Sequence, residues 1–436
     1  MRPVGLLVLL FATSAMAADR PVTFHREVAR VLRDHCQECH RPGEIGPMSL
    51  LTYREARPWA KAIKEAVLTR KMPPWFADRA VGAFRNDLTL RDDQIDALVR
   101  WADSGAPEGD AKEAPPPRQF LAGWRIGKPD LVLEMPEEYQ VPASGTVEYT
   151  YVIVPSGFAE DRWIERAEIR PGNRAVMHHA SVWLRPPGSR WLAGQAAGKP
   201  FVPPEQTRRD PARPLAATFA GVTTMDEQLV GYAPGRPALI LPPGQAFLVP
   251  ANTDFIFQLH YTPNGNATTD RTRFGLIFAK QPPAERVFKA GASNDKFVIP
   301  PGAANHRVDA VVTLHADSKL ISMRPHMHLR GKSMEYRAVY PTGEKEILLR
   351  VPRYDFNWQW DYVLSIPKRL PKGTRLEVSG IFDNSPNNAA NPDPKAEVRW
   401  GDQTWEEMLT GQIELAIDAK AKRSDVLPFT RVGSQN

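Results

Sequence analysis

Two cysteines and ten histidines among 436 residues offer the richest coordination chemistry in this chain. Both cysteines fall in one motif, Cys36-Gln37-Glu38-Cys39-His40. Two thiols one helical turn apart can add to the vinyl groups of a haem, and the adjacent imidazole then reaches the iron. This is the attachment pattern of c-type haem. A C-x-x-C disulfide or half of a zinc site is the alternative, and zinc needs two further good ligands nearby. The sixth iron ligand is expected from Met72, in Lys71-Met72-Pro73-Pro74-Trp75, with Met48 as the rival; a Met that merely fills the core is the plainer reading. His/Met ligation closes the iron and implies electron transfer rather than oxygen chemistry.

Five other histidines lie in three tight contexts: His178-His179, His260 and His326-Met327-His328. The last two are two residues apart, so on a strand their rings point to one face, a ready bidentate metal site. His178 and His179 are neighbours and would face opposite ways on a regular strand. They can share an ion only at a bulge or a strand end, or with different ring nitrogens turned inward. Imidazole sets without a thiolate suit zinc or copper, and a methionine partner favours copper. Any one of these histidines alone is more often a hydrogen-bonded structural residue. His25, His35, His306 and His315 lack such company.

Four stretches carry a resemblance: Val176-Met177-His178-His179, Leu259-His260-Tyr261, the run from Arg324 to Lys332 (RPHMHLRGK) and Trp405-Glu406-Glu407-Met408. In order and content they resemble the copper type II, ascorbate-dependent monooxygenases, the group of peptidylglycine α-hydroxylating monooxygenase and dopamine β-hydroxylase, over roughly residues 128–420. The resemblance implies two copper ions. His178, His179 and His260 would hold an electron-transfer copper, and His326, His328 and Met408 an oxygen-binding copper across a solvent-filled cleft. It implies insertion of one oxygen atom of O₂ into a C–H bond. Arg324 matches a residue that holds a substrate carboxylate, so it is expected to face the cleft and favour an anionic group; a structural ion pair is the competing role. Thr410 and Gln412 stand where the peptide-hydroxylating member has assisting Asn and Tyr residues, which counts against a peptidylglycine substrate. The family's disulfides are absent, since both cysteines are committed to haem.

The elements that must position these residues read as follows. Residues 1–18 have a positive start, an apolar stretch and an Ala-x-Ala site, the form of a secretory signal peptide that implies a periplasmic or secreted protein. No later run is long and apolar enough to predict a membrane span. Residues 19–110 show helical spacing: Phe24, Val28, Val31 and Leu32; then Trp59, Ile63, Ala66 and Val67 after Thr52; then Ile95, Leu98, Val99 and Ala102 after a Thr89/Asp92 capping box. This region resembles a small cytochrome c. A charged, Pro-rich linker at 111–119 follows.

Beyond it the period changes to two, in short runs such as VEYTYVIV, FIFQLHY, RFGLIFA and HRVDAVVTL. Two tandem all-β antiparallel, jelly-roll-like sandwiches are expected, at 120–283 and 284–430, breaking near Gln281-Pro282-Pro283. Several tryptophans, Trp360, Trp400 and Trp405 among them, are available to stabilise them. The prolines, 42 against 29 glycines, suit such turns, and a net charge of +6 without a basic run gives no reason to expect nucleic acid.

The expected function is an exported copper monooxygenase acting with O₂ on a small substrate. The tethered c-type haem would feed the His178/His179/His260 copper, with an external electron donor behind it. The alternative is a non-catalytic copper and haem electron carrier.

Overall fold

The structure, a computed structural model, describes residues 20–189, 191–203, 227–401 and 403–427. The signal segment 1–18 and the end of the second sandwich lie outside the described residues.

The first region is helical, as its spacing predicts. Phe24–Val28 and Ala29–His35 run as one helical stretch, followed by Tyr53–Ala56, Ala60–Leu68 and Asp92–Asp103. Thr52 and Glu55 form the capping box that opens the second stretch: the Glu55 amide donates to Thr52 Oγ1 at 3.3 Å, and the Thr52 amide to Glu55 Oε2 at 2.9 Å. Pro58 interrupts that stretch with one turn of 3₁₀ helix, which leaves Trp59 outside the core, 42% exposed, where the spacing alone put it on the buried face. The Thr89/Asp92 box does not form. Thr89 instead bonds Asp87, and the side chain of Gln94 caps the helix by accepting from the Arg91 amide at 2.9 Å. Val28, Leu32, Ile63, Val67, Leu98 and Trp101 close a separate small core.

The rest of the described chain is mostly antiparallel sheet, with one parallel strand pair and an isolated parallel bridge between Trp400 and Glu407. One four-stranded sheet runs Thr150–Pro155, Asp254–Tyr261, Met177–Arg185, Glu227–Tyr232. Another runs His306–Thr313, Arg375–Phe382, Gly331–Val339, Lys345–Val351. Both pack on the two halves of one long sheet of nine strands, with two separate cores. The alternation of buried and exposed residues along His306–Thr313 and Arg375–Phe382 is the period-two pattern of a half-buried strand.

Neither the core nor the hydrogen bonding breaks at Gln281: Val287, Ile321 and Ala416, from beyond it, pack in the core of the first sandwich. Glu285–Asn294, just beyond it, pairs in parallel with Gln245–Val249 of the first sandwich and antiparallel with Leu409–Asp418 of the second. The sandwiches are therefore fused through a shared sheet, which fixes their relative position far more firmly than a linker would.

The helical region is likewise docked rather than merely tethered. Trp75, Phe76 and Phe84 leave its core and join that of the second sandwich. Asn86 donates to the Asp361 carbonyl at 2.7 Å, and the Asp78 and Arg85 amides bond the Arg350 and Val363 carbonyls. On the first sandwich's side, Arg174 pairs with Glu44 at 2.6 Å, and Arg118 with Glu38 at 2.9 Å. The 111–119 segment thus ends clamped against the helices and does not act as a free spacer.

Candidate metal centre

His178 and His179 sit at the start of Met177–Arg185, and His260 near the end of Asp254–Tyr261. Met177 pairs with Tyr261 and His179 with His260, so His178 is the extra residue of a bulge. The bulge resolves the geometry that a regular strand would forbid. One nitrogen from each ring lies within 4.8 Å of those of the other two. His178 Nδ1 and His179 Nδ1 approach to 3.1 Å. His260 Nδ1 is buried with no hydrogen-bond partner among the described residues. Tyr149, which precedes the neighbouring strand, stacks on His260 at a centroid distance of 4.6 Å.

Burial, and then the neighbouring rings, hold His179 well below its ordinary value. Burial and His178 push His260 down to about 4. Burial also lowers His178. All three are neutral at pH 7, the form that offers lone pairs to a metal. An orphaned buried nitrogen facing two converging imidazoles fits a metal ion.

His326 ends the strand Ser318–His326, and His328 follows in the turn. Their ring centroids are 5.3 Å apart and nearly perpendicular. Gln359 Oε1 bonds His326 Nδ1 at 2.6 Å, and the Glu406 carbonyl lies 3.3 Å from His328 Nδ1. With Nδ1 engaged on both rings, Nε2 is the nitrogen left for a metal. His326 pairs with Thr410, two residues after Met408. Met408 is half-buried against the second core. Glu407, fully buried, accepts the amides of His328 and Arg330 and so fixes the turn. Burial pushes His326 to about 4 and His328 to about 3. The same effect outweighs the hydrogen bonds on Glu407 and raises its carboxyl to about 8. Two neutral imidazoles with Nε2 unengaged offer two lone pairs to a metal ion.

At the third motif, His35 ends its helix and the chain makes one more turn. The Cys39 and His40 amides bond the Cys36 carbonyl, at 3.2 and 2.9 Å. His40 Nδ1 lies 3.3 Å from the Met48 carbonyl, which turns Nε2 outward. Gly46 makes this possible: a Cβ there would stand 2.8 Å from His40 Nδ1 and 2.6 Å from the Cys39 carbonyl. Burial pushes both thiols up, Cys36 to about 12 and Cys39 to about 11. Two unoxidised thiols beside an oriented imidazole fit c-type haem attachment. Met72 is half-buried beyond Ala60–Leu68, and Met48 packs against the helical core beside Cys36.

Sequence reasoning missed the segment between Lys345–Val351 and Tyr362–Leu370. The Phe356 ring is 6.5 Å from that of His178 and 6.0 Å from that of His328, so an aromatic side chain occupies the interval where a solvent-filled cleft was expected. Gln359 holds His326. Trp360, 5% exposed, lies against Gly235: a Cβ there would be 3.1 Å from its indole and 3.3 Å from Cys39 Sγ. Asp361 pairs with Arg236 and lies 3.8 Å from Arg324. The aromatic-rich sequence was visible, but nothing in its aperiodic pattern indicates its neighbours.

Arg324 does not face a cleft. It is 7% exposed and donates to Gln228 Oε1 and Gln412 Oε1, which come from different sandwiches. Its structural role prevails because the buried guanidinium is engaged by two glutamine oxygens, with Asp361 3.8 Å away. Burial and then Arg236 lower it to about 10, against the pull of Asp361, and at neutral pH it remains a cation. Trp405, expected to stabilise the sandwich by burial, is 53% exposed; its carbonyl accepts from Arg330.

No protein-family model and no curated protein matches the chain. Among solved structures, similarity is found to "Structure of infectious bursal disease virus Gx strain", at 9% identity and TM-score 0.19, covering 69% of this chain and 75% of that one. The "Crystal structure of infectious bursal disease virus VP2 subviral particle" is similar at 11% identity and TM-score 0.17, covering 69% and 75%. Likeness of this degree bears on neither function nor fold. No described helix is long and apolar enough to cross a membrane.

Proposed function

We propose that the chain is an exported copper type II monooxygenase with a fused c-type haem domain, in the manner of the peptidylglycine and dopamine hydroxylases that its motifs resemble. The observation that carries this reading is the convergence of His178, His179 and His260 on one point from two strands, the same residues that the motif order singled out. His326, His328 and Met408 form the second set, and Cys36, Cys39 and His40 attach the haem. Met72 is the better sixth ligand, because the Met48 carbonyl is already engaged behind the proximal ring, on the Nδ1 side of His40.

Copper at these sets supplies one-electron chemistry with O₂: one oxygen atom enters a substrate C–H bond, and the other leaves as water with two electrons and two protons. The chain's own residues prepare for this. Burial keeps five imidazoles neutral, Gln359 and the Glu406 carbonyl orient the second pair, and Glu407 locks its turn. Arg324 holds the sandwiches together and does not select substrate.

Metal and haem analysis of the mature protein, followed by O₂ uptake against a substrate panel, tests this reading. One haem, two coppers and substrate-dependent uptake are expected. A second reading, a copper and haem electron carrier without substrate, is favoured by Phe356 filling the interval between the sets. It predicts the same cofactors with O₂ uptake indifferent to every substrate.

A further inference from the structure

Resting on that reading, we infer that electrons from the haem enter at the His326/His328 set rather than at the three-histidine set, and that Trp360 and Gln359 form the path. The segment from Phe356 to Asp361 touches all three cofactor motifs. Its Trp360 indole and the Cys39 thiol both lie against Gly235, 3.1 and 3.3 Å from where a Cβ would stand, so an aromatic ring is packed near a thiol that would hold the haem. Trp360 also stacks parallel to Trp358 and lies in contact range of Trp75, in a packed aromatic cluster that leaves it no freedom to swing away. Its buried Nε1 has no partner among the described residues, so the ring is placed by packing alone. One peptide bond leads from Trp360 to Gln359, and one 2.6 Å hydrogen bond leads from Gln359 to His326.

The other set lies one contact further on: Gln359 also donates to the Phe356 carbonyl at 3.2 Å, and the Phe356 ring is 6.5 Å from that of His178. A separate approach runs through Tyr232, whose phenol senses Cys39, but which reaches His179 only across the strand pairing with Ala180 and then along the backbone. Phe356, between His328 and His178, would connect the two sets to each other.

With both groups bound, the path would carry one electron from a ferrous haem held by Cys36, Cys39 and His40 to a cupric ion held by His326 and His328, leaving ferric haem and a cuprous ion, with no bond formed or broken and no proton needed. An external one-electron donor reduces the haem again, so two passages supply one turnover. Rigid docking of the helical region on the second sandwich, through Trp75 and Phe84, keeps the path intact between passages.

Pulse radiolysis of the oxidised, copper-saturated protein tests this by following haem reoxidation after injection of a single electron. Removal of the three-histidine copper by His260→Ala should leave haem reoxidation fast, and His326→Ala should abolish it. Trp360→Leu and Gln359→Leu should slow it roughly tenfold or more at saturating copper, with the haem midpoint potential unchanged, while Tyr232→Leu stays within about twofold of wild type. If Trp360→Leu fails to fold, Gln359→Leu decides alone.

Reoxidation lost in His260→Ala but kept in His326→Ala overturns the proposal, as does a rate sensitive only to Tyr232. A wild-type protein lacking haem or copper would defeat the monooxygenase reading itself. Prompt transfer insensitive to Trp360 and Gln359 defeats the path alone.

Discussion

The two histidine sets solve the same problem in opposite ways. His178, His179 and His260 converge on one another, and their closest polar neighbours are each other's nitrogens. A strand bulge builds that set, and stacked Tyr149 backs it. His326 and His328 have ring centroids 5.3 Å apart and nearly perpendicular planes, much as His178 and His260 do, but each has its Nδ1 occupied from outside, by Gln359 and by the Glu406 carbonyl. The first set is complete in imidazole. The second has two imidazoles, and their orientation depends on Gln359 and the Glu406 carbonyl. A closed imidazole site suits an ion that only exchanges electrons, whereas two oriented imidazoles leave room for a reacting molecule.

The sharpest division is expected from deleting one ligand of each set. His326→Ala should abolish substrate-dependent O₂ uptake and remove one copper, with the haem spectrum intact. His260→Ala should remove the other copper and leave the His326 set loaded. Loss of both coppers in either variant, by metal analysis, would show that the sets are not independent.

The next effect is collective. His260 and His326 sit at about 4 and His328 at about 3, below an ordinary value near 6.5. The unfolded chain takes up protons that these buried rings refuse. The metal-free protein should therefore keep full stability above pH ~6.5 and lose it as pH falls towards ~4. Across that window each ring should cost about 1.4 kcal/mol for every pH step of one. Melting curves flat across that window would contradict the burial of both sets.

Arg324→Ala tests the junction between the sets. It strands Gln228, Gln412 and part of Asp361, and should cost about 3 kcal/mol of stability. Denaturant unfolding measures the cost, and substrate preference should not move. A selective rise in KM for acidic substrates would restore the substrate-binding role.

Smallest of all, Gln359→Leu should weaken copper at the second set about 10- to 100-fold and leave the first unchanged, read by competitive copper titration. Equal weakening of both would erase the distinction drawn between them.

The strands and the convergence of His178, His179 and His260 were legible because strand period and ligand spacing are local patterns. A bulge at His178 was one of the ways open for adjacent ligands on a strand, and it is the one the structure shows. The 3₁₀ turn at Pro58 that expels Trp59 was less legible, because helical spacing was extended through a proline. Least legible were contacts between residues far apart in the chain. Gln228 to Arg324, Asn86 to Asp361 and Gly235 to Cys39 each join different elements, and none leaves a periodic trace. Phe356 and Gln359 belong to that class, which is why the segment joining the cofactor motifs emerged only from the fold.

The most direct test is a copper titration of the haem-containing protein followed by electron paramagnetic resonance of the cupric form. Two coppers per chain with two distinct signals are predicted, one lost in His260→Ala and the other in His326→Ala. A single copper per chain, or one signal that both substitutions remove, would contradict the division into two sites.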